Sequence, residues 1–534
     1  MNLIHDSWLP FTLRDGSEKV LPITAICDPD VVDFALPRAD FQGAAYQFVI
    51  GLLQTVFAPK DKYQWQDFFD QPPVADTLQQ AFDKVAHAFN VTGDGPLFMQ
   101  DYDLLESANP TTVAGLLIEA PGANGIKLNT DHFIKRGIGE VMSLESAVLA
   151  LFTLQINAPS GGSGHRVGLR GGGPLTTLIL PSQDASSLWQ KLWLNVINRD
   201  EWRYEDPDFH HGTVFPWLDG TRTSEKKGSE IYATQTDRVH PLHMYWAMPR
   251  RIRLNVEEKT AICQISGESA ALTVSVYRTL NYGGNYSGTW SHPLTPYKSN
   301  PKKPDEEHLS VKGQPGGITY KIWDSLALSS EAEGLHCAQV IRHFYSLCNN
   351  YPALMGYYPR LWAFGYDMDN MKARCWYSTL MPLFTFDPEQ QEDMVQRVKT
   401  LQSLASNALW QCRTQIKSAW FDKPGEAKGD TSFIDLAFWQ RSESAFYIAV
   451  QQLIESAEHD EFDLSSQQAK DWLSALRQVC LDLFDEYALS ELGSERSMAK
   501  RIVARRALMG WLFGGKEIKN FMKDNHIEFD KESV

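Results

Sequence analysis

Asp387-Pro388-Glu389-Gln390, followed by apolar residues at Met394, Val398, Leu401, Ala405, Ala408 and Cys412, marks the point where the chain changes character. Aspartate can cap a helix, proline fits its first position and glutamine can reach back to the cap, so these four residues read as a helix start. The spacing of three and four that follows lays one apolar stripe along a helix. The same spacing recurs at Leu436, Trp439, Phe446, Val450 and Leu453, and again at Trp472, Leu476, Val479, Leu483 and Tyr487. A weaker stripe runs through Met498, Ile502, Met509 and Leu512. Four amphipathic segments joined by polar connectors predict an all-α four-helix bundle for residues 386–534.

Upstream, residues 1–385 alternate short apolar runs, helical patterns and many Gly, Pro and Asn breaks, the texture of a large mixed α/β (α+β) domain. Helices are expected at about 40–58, 75–90, 143–156 and 185–198. Leu272 to Arg278 alternates as a strand, and the Gly-, Asn- and Tyr-rich stretch from Asn281 to Gly288 reads as a hairpin tip or bulge. No repeat of solenoid period is present.

The whole chain has 534 residues, 50 Lys plus Arg against 66 Asp plus Glu, and a formal charge of -16. Hydrophobic residues at 43% and charged residues at 22% suffice for a real core and exclude collagen-like, coiled-coil and low-complexity classes. An acidic total argues against a chain coated with positive charge, yet leaves room for a local basic groove. Seven cysteines are scattered without a C-x-x-C pair, which implies a reducing cytoplasm. The opening MNLIHDSWLPF has neither a basic region nor an apolar leader, and Phe48 to Ala58 is too short to span a bilayer. A cytoplasmic protein without membrane contact is expected.

The most unusual segment is Ser160-Gly-Gly-Ser-Gly-His-Arg-Val-Gly-Leu-Arg-Gly-Gly-Gly173. So many glycines let backbone N–H groups approach a ligand, and Arg166 and Arg170 add charge. The segment follows a helix and lacks G-x-x-x-x-G-K-[ST], so a nucleotide-hydrolysing loop is disfavoured. A flexible surface loop or a backbone-mediated contact with an anion or nucleic acid remain open.

Gly365-Tyr-Asp-Met-Asp-Asn-Met-Lys-Ala-Arg374 is the second constellation. Asp367 and Asp369 could form a carboxylate pair, though two-apart carboxylates share a face only in a strand. A turn capping a helix from Met371 to Leu380 is the structural alternative. A tip made of Asn370, Met371 and Lys372 would suit groove reading, because Asn and Lys meet base edges and phosphates while Met can wedge into a base step. Further basic clusters are Lys127 with Lys135 and Arg136, Arg250 with Arg251 and Arg253, Lys298 with Lys302 and Lys303, and Lys500, Arg501, Arg505 and Arg506. His336, Cys337, His343 and Cys348 form no tetrahedral set and read as core. No hydrolase or protease signature is present and the residues mark no metal or other cofactor, though missing motifs do not by themselves exclude an activity.

Taken in order, the motifs resemble a known family: CasA, the large subunit of the type I-E CRISPR surveillance complex Cascade. The resemblance is carried by Met1-Asn-Leu-Ile-His-Asp-Ser-Trp-Leu-Pro10, Leu36-Pro-Arg38, Leu97-Phe-Met-Gln100, Gly168-Leu-Arg-Gly-Gly-Gly-Pro-Leu-Thr-Thr177, Trp290-Ser-His-Pro293 and Tyr366-Asp-Met-Asp-Asn-Met-Lys-Ala-Arg374. It implies a protein without a catalytic centre that recognises the protospacer-adjacent motif in double-stranded DNA, helps to open the duplex and recruits the Cas helicase-nuclease. Guide RNA pairing then reads the remaining sequence.

By position, the resemblance implies a motif-reading loop at Ser160, Gly161, Gly162, Ser163 and Gly164, with Arg166 beside it. It implies a wedge at Asp369, Asn370, Met371 and Lys372, and a hairpin cation at Arg278. A loop at about 125–139, with Lys127, Phe133, Lys135 and Arg136, corresponds to the one that lies against the guide RNA (crRNA) 5′ end and a neighbouring Cascade subunit. Lys298, Lys302, Lys303, Arg501 and Arg505 are candidates for a track holding the displaced strand. Ser163 stands where a glycine is expected and Met371 where some members are polar, which bears on the preferred motif. Only Cys263 stands where some members carry a cysteine cluster, so no zinc is expected. The competing readings are a carbohydrate-active enzyme built on 16 Trp with Asp367 and Asp369, and a purely structural scaffold.

Overall fold

Helix α1, Ala39–Val56, carries apolar residues on every side despite Asp40 and three glutamines, and such a helix is stable only inside a core. In the computed structural model every residue of α1 except Ala39, Gln42 and Val56 is buried. The structure describes residues 1–120, 137–162, 164–182, 186–369, 372–385, 388–426, 429–457, 463–490 and 495–528. Phe48 on α1 stands edge-on to Trp8, Phe89, Phe98, Phe152 and Trp246 at 5.5–5.9 Å between ring centres. Edge-to-face packing of this kind adds about 0.5–1.5 kcal/mol per pair beyond area burial.

The chain divides into two compact units, Met1–Gly313 with Cys337–Leu380, and Gln314–His336 with Met381–Val534. In the first unit, strands β1 (Leu9–Leu13), β2 (Glu18–Leu21) and β3 (Val31–Phe34) form an antiparallel sheet in the order β2-β1-β3. Helices α2 (Lys62–Asp70), α3 (Ala75–Asp83) and α4 (Leu144–Asn157) follow, then β4 (Thr176–Leu180) and α5 (Leu188–Trp193). Strands β5 (Arg251–Ile262) and β6 (Ser269–Leu280) make a long antiparallel hairpin, with Arg253 opposite Arg278. Helix α6 (Gln339–Asn350) leads to β7 (Arg360–Asp369) and β8 (Lys372–Pro382), and the sheet order there is β8-β7-β4.

Several local expectations change. The helix expected at 75–90 stops at Asp83 and continues as a 3-10 turn, Ala86–Phe89. The one expected at 185–198 is only α5, because Asn195 turns its amide onto both the N–H and the carbonyl of Ile179, and Gln54 clamps Ile197 in the same way. Asn281 to Gly288 is the exit from β6; the β5–β6 connection is Cys263 to Glu268. Residues 372–382 form a strand, not the helix considered as an alternative. The alternation of that stretch admits cross-strand pairing to β7, which a helix would forgo.

The second unit is helical: α7 (Gln391–Trp420), α8 (Ser432–Ala457), α9 (Ser466–Phe484), α10 (Glu495–Gly514) and the short α11 (Lys516–Asp524). The mixed first unit followed by a helical C-terminal region is the predicted fold class. Met394, Val398, Leu401, Ala405, Ala408 and Cys412 are all buried. Leu436 is exposed, and on α10 the inward stripe is Ala504, Leu508 and Leu512, whereas Ile502 and Met509 face outward. Gln390 precedes α7, but its side chain donates to Ala457 O at 3.2 Å and makes no cap. The segment Gln314–His336 joins this unit through Tyr320, whose ring stacks on Phe446 at 4.3 Å while its hydroxyl pairs with Ser442 Oγ at 2.8 Å. No helix among the described residues is long and apolar enough to cross a membrane. None of the seven cysteines forms a disulfide.

Candidate nucleic-acid interface

The Gly-rich segment leaves the end of α4 and is closed at its base by Gly168 N–H donating to Ala158 O at 2.8 Å. Ser160, Gly161 and Gly162 are exposed; Ser163 lies outside the described residues. Gly164 has φ +82°, and a Cβ there would stand 2.7 Å from Asn281 Cβ, so only glycine fits. Its carbonyl accepts from Tyr282 N–H at 2.6 Å, which fastens the loop to the chain leaving β6. Arg166 donates to Ser224 Oγ at 2.7 Å and to Ser224 O at 3.0 Å, with its guanidinium 5.9 Å from the Tyr282 ring centre.

The far end of the same segment is pressed onto β7. Gly173 has φ +65°, and a Cβ there would collide with Met368 and lie 3.0 Å from Tyr366 O. Pro174 bridges to Lys312, and Gly313 bridges to Asp367. One run of glycines therefore touches both the open end of the β5–β6 hairpin and the β7 strand of the second hairpin. Asp369 ends β7 and Lys372 begins β8, both exposed; Asn370 and Met371 between them lie outside the described residues. Arg278 is half-buried on β6, three residues before Asn281. Lys127, Phe133, Lys135 and Arg136 lie outside the described residues.

The clusters of basic residues behave differently from one another. Arg170 is buried, bonded to Thr176 Oγ1, Thr295 Oγ1, Gln47 Oε1 and Ile156 O at 2.9–3.1 Å, so it organises the core instead of facing a ligand. Arg251 forms an ion pair with Asp101 at 2.6 Å, and Arg253 donates to Asp101 O. Arg250 donates to Pro159 O, and burial pushes its guanidinium down to about 10. His165 in the loop is also shifted down, by burial and by the charge of Arg250. Lys298, Lys302 and Lys303 are exposed, but Lys303 pairs with Glu306 at 2.6 Å in a loop that also carries Asp305 and Glu307. In the second unit Arg505 grips Asp485 with two bonds of 2.7 and 2.9 Å, and Lys500 reaches Asp422 at 2.8 Å. Arg501 is half-buried.

Asp367 and Asp369 do share a face of one strand. Arg374 on β8 nevertheless donates to both oxygens of Asp367, at 2.6 and 3.1 Å, and lies 4.0 Å from Asp369. A carboxylate forked in this way is structural, which removes the argument for a glycosidase pair. Seven of the sixteen tryptophans, Trp65, Trp189, Trp193, Trp217, Trp246, Trp323 and Trp472, are fully buried and offer no sugar platform, whereas Trp410 is exposed.

Sequence reasoning passed over Lys312, whose Nζ donates to Gly172 O at 2.9 Å. Nothing in its sequence neighbourhood, Ser310-Val-Lys-Gly313, marks it, because its partner lies 140 residues away.

The sequence profile of the family described as CRISPR-associated protein Cse1 matches residues 2–483. Among solved structures, Thermobifida fusca Cse1 superposes with a TM-score of 0.67 at 16% identity, covering 98% of each chain. Thermus thermophilus CasA (Cse1) gives 0.65 at 15% identity over 97% of this chain and 99% of that one. A chain of a structure described as a CRISPR RNA-guided surveillance complex gives 0.65 at 13% identity over 95% and 99%. The family expected from the ordered motifs is thus the family found, and the chain belongs to the CRISPR-associated Cse1 (CasA) proteins.

Proposed function

We propose that the chain is the non-catalytic large subunit of a type I-E Cascade complex and reads the protospacer-adjacent motif of double-stranded DNA through the minor groove. The observation that carries this reading is the convergence on one Gly-rich run of two hairpins, through Asn281 after β6 and Tyr366 with Met368 on β7. An exposed glycine loop offers backbone donors, and the second hairpin, whose strands end at Asp369 and Lys372, packs on the same glycine run through Met368. Minor-groove patterns are degenerate, so several motifs would be accepted. Arg278 is the hairpin cation of this reading, and Asn370 with Met371 completes the wedge that unstacks a base step.

Once opened, the duplex pairs with the guide RNA to form the R-loop. In this reading the 125–139 loop, with Lys127, Phe133, Lys135 and Arg136, takes the guide RNA 5′ end and a neighbouring Cascade subunit. Lys298, Lys302, Lys303, Arg501 and Arg505 track the displaced strand, and the Cas helicase-nuclease is recruited afterwards, in the cytoplasm. The similarity to a chain of an RNA-guided surveillance complex supports the assembly part of this reading. The test is equilibrium binding of guide-loaded complex to one duplex with and without an adjacent motif. Lys372→Ala should lower affinity for the duplex while leaving guide loading unchanged. Loss of guide loading instead, with DNA binding intact, would count against the assignment.

A further inference from the structure

Four cations lie in or against the Gly-rich segment, Arg166 and Arg170 within it and Arg250 and Lys312 packed on it, and among the described residues none of them has a carboxylate partner. Arg250 donates to Pro159 O, Lys312 to Gly172 O, Arg170 to Ile156 O and neutral side chains, and Arg166 to Ser224. Arg38, Arg251, Arg374 and Arg505 by contrast each hold a carboxylate, while Arg222, Arg253, Arg360 and Arg477 donate to single carbonyls at scattered places. Two of the four, Lys312 and Arg250, donate to adjoining pieces of chain. A Cβ on Gly172 would stand 3.3 Å from Pro159 Cα, so the carbonyls that receive Lys312 and Arg250 belong to one pinch of chain. Arg250 is 7% exposed and its Nε has no hydrogen-bond partner. Next to Lys312, Gly313 pairs with Asp367, but Arg374 occupies both oxygens of that carboxylate.

Buried charge without a counter-charge is costly, and an N–H left without an acceptor adds to the cost. In a chain of net charge -16, such a spot under an exposed loop is suited to receiving an anion. We propose that Lys312 and Arg250 seat a backbone phosphate of the target duplex beside the Gly-rich loop. Lys312, half-exposed, touches the phosphate oxygen; Arg250 adds charge from beneath and holds Pro159 in place. This deepens the motif-reading function and rests on it. The glycine loop and wedge read the groove, while this seat fixes register without reading sequence.

The experiment measures binding of guide-loaded complex to motif-bearing and motif-scrambled duplexes across a salt series. Lys312→Met should weaken both about equally and lower the slope of log affinity against log salt by about 0.9, the value for one phosphate contact. Lys312→Arg should restore the slope. Lys312→Met is the primary variant because altering Arg250 also removes the bond that holds Pro159. An unchanged slope, or a slope change accompanied by altered motif preference, would overturn the seat. So would weaker guide RNA loading with an unchanged DNA slope. If the wild-type complex shows no motif preference that depends on this chain, the function itself falls, whatever the slope does.

Discussion

The hydroxyl of Tyr366, three residues before the end of β7, donates to Asp40 Oδ2 at 2.5 Å, tying the second hairpin to the first turn of α1. Arg38 forks the same carboxylate at 2.8 and 2.9 Å and reaches Glu119 at 2.7 Å. Asp40 is buried, so removing Arg38 strands a charge, whereas removing the Tyr366 hydroxyl leaves it still paired. Arg38→Met should cost about 3–5 kcal/mol and Tyr366→Phe about 1–2 kcal/mol. Denaturant unfolding of the two variants gives that order; equal costs would contradict it.

The fork between Arg374 and Asp367 predicts a second asymmetry. Asp367 is buried and Arg374 is partly exposed. Arg374→Ala should therefore destabilise by about 3–5 kcal/mol, because it leaves the carboxylate unpaired. Asp367→Asn lets the guanidinium turn to water and should cost less, about 1–3 kcal/mol. Thermal unfolding compares them.

On α10 the true inward stripe predicts that Leu508→Ala costs about 2–5 kcal/mol, while Ile502→Ala, at an exposed position, stays within about 0.5 kcal/mol. A reversed order would restore the stripe read from sequence.

Acid should weaken the first unit. Burial, with a smaller contribution from the charge of Arg222, pushes His243 down to about 3, and burial pushes His343 down to about 3. Unfolded histidine titrates near 6.5, so both are neutral in either state above that pH and cost nothing there. As pH falls from about 6.5 towards about 3, the unfolded chain takes protons the folded one refuses. Stability is then lost at up to about 1.4 kcal/mol per pH unit for each group. His243→Gln should shrink the difference in unfolding midpoint between pH 7 and pH 5; an unchanged difference would contradict this.

These particulars explain how far the sequence could be read. Helix α1 was legible because apolar residues recur around the whole of an 18-residue segment and have no other place to go. The α10 stripe was misphased because Ile502, Val503 and Met509 are as apolar as Ala504, Leu508 and Leu512, so periodicity alone admits two faces. The association of Gln314–His336 with the helical unit depends on Tyr320 meeting Ser442, a pairing 122 residues apart that no local pattern encodes. At the candidate interface the glycines and Lys372 stood out by composition. Lys312 did not, since its meaning lies in a distant carbonyl and in an acid, Asp367, that is already taken by Arg374. Arg170 and Arg251 looked like ligand-facing charges only because burial is invisible in a run of letters.

The central claim is tested most directly by binding guide-loaded complex, with and without this chain, to duplexes that share one protospacer and carry a randomised adjacent trinucleotide at fixed salt. Selective enrichment of a subset of trinucleotides that requires the chain, and that is lost when Gly164→Val unseats the loop from Asn281, is the predicted result. Equal selectivity without the chain would contradict it and leave the subunit a scaffold.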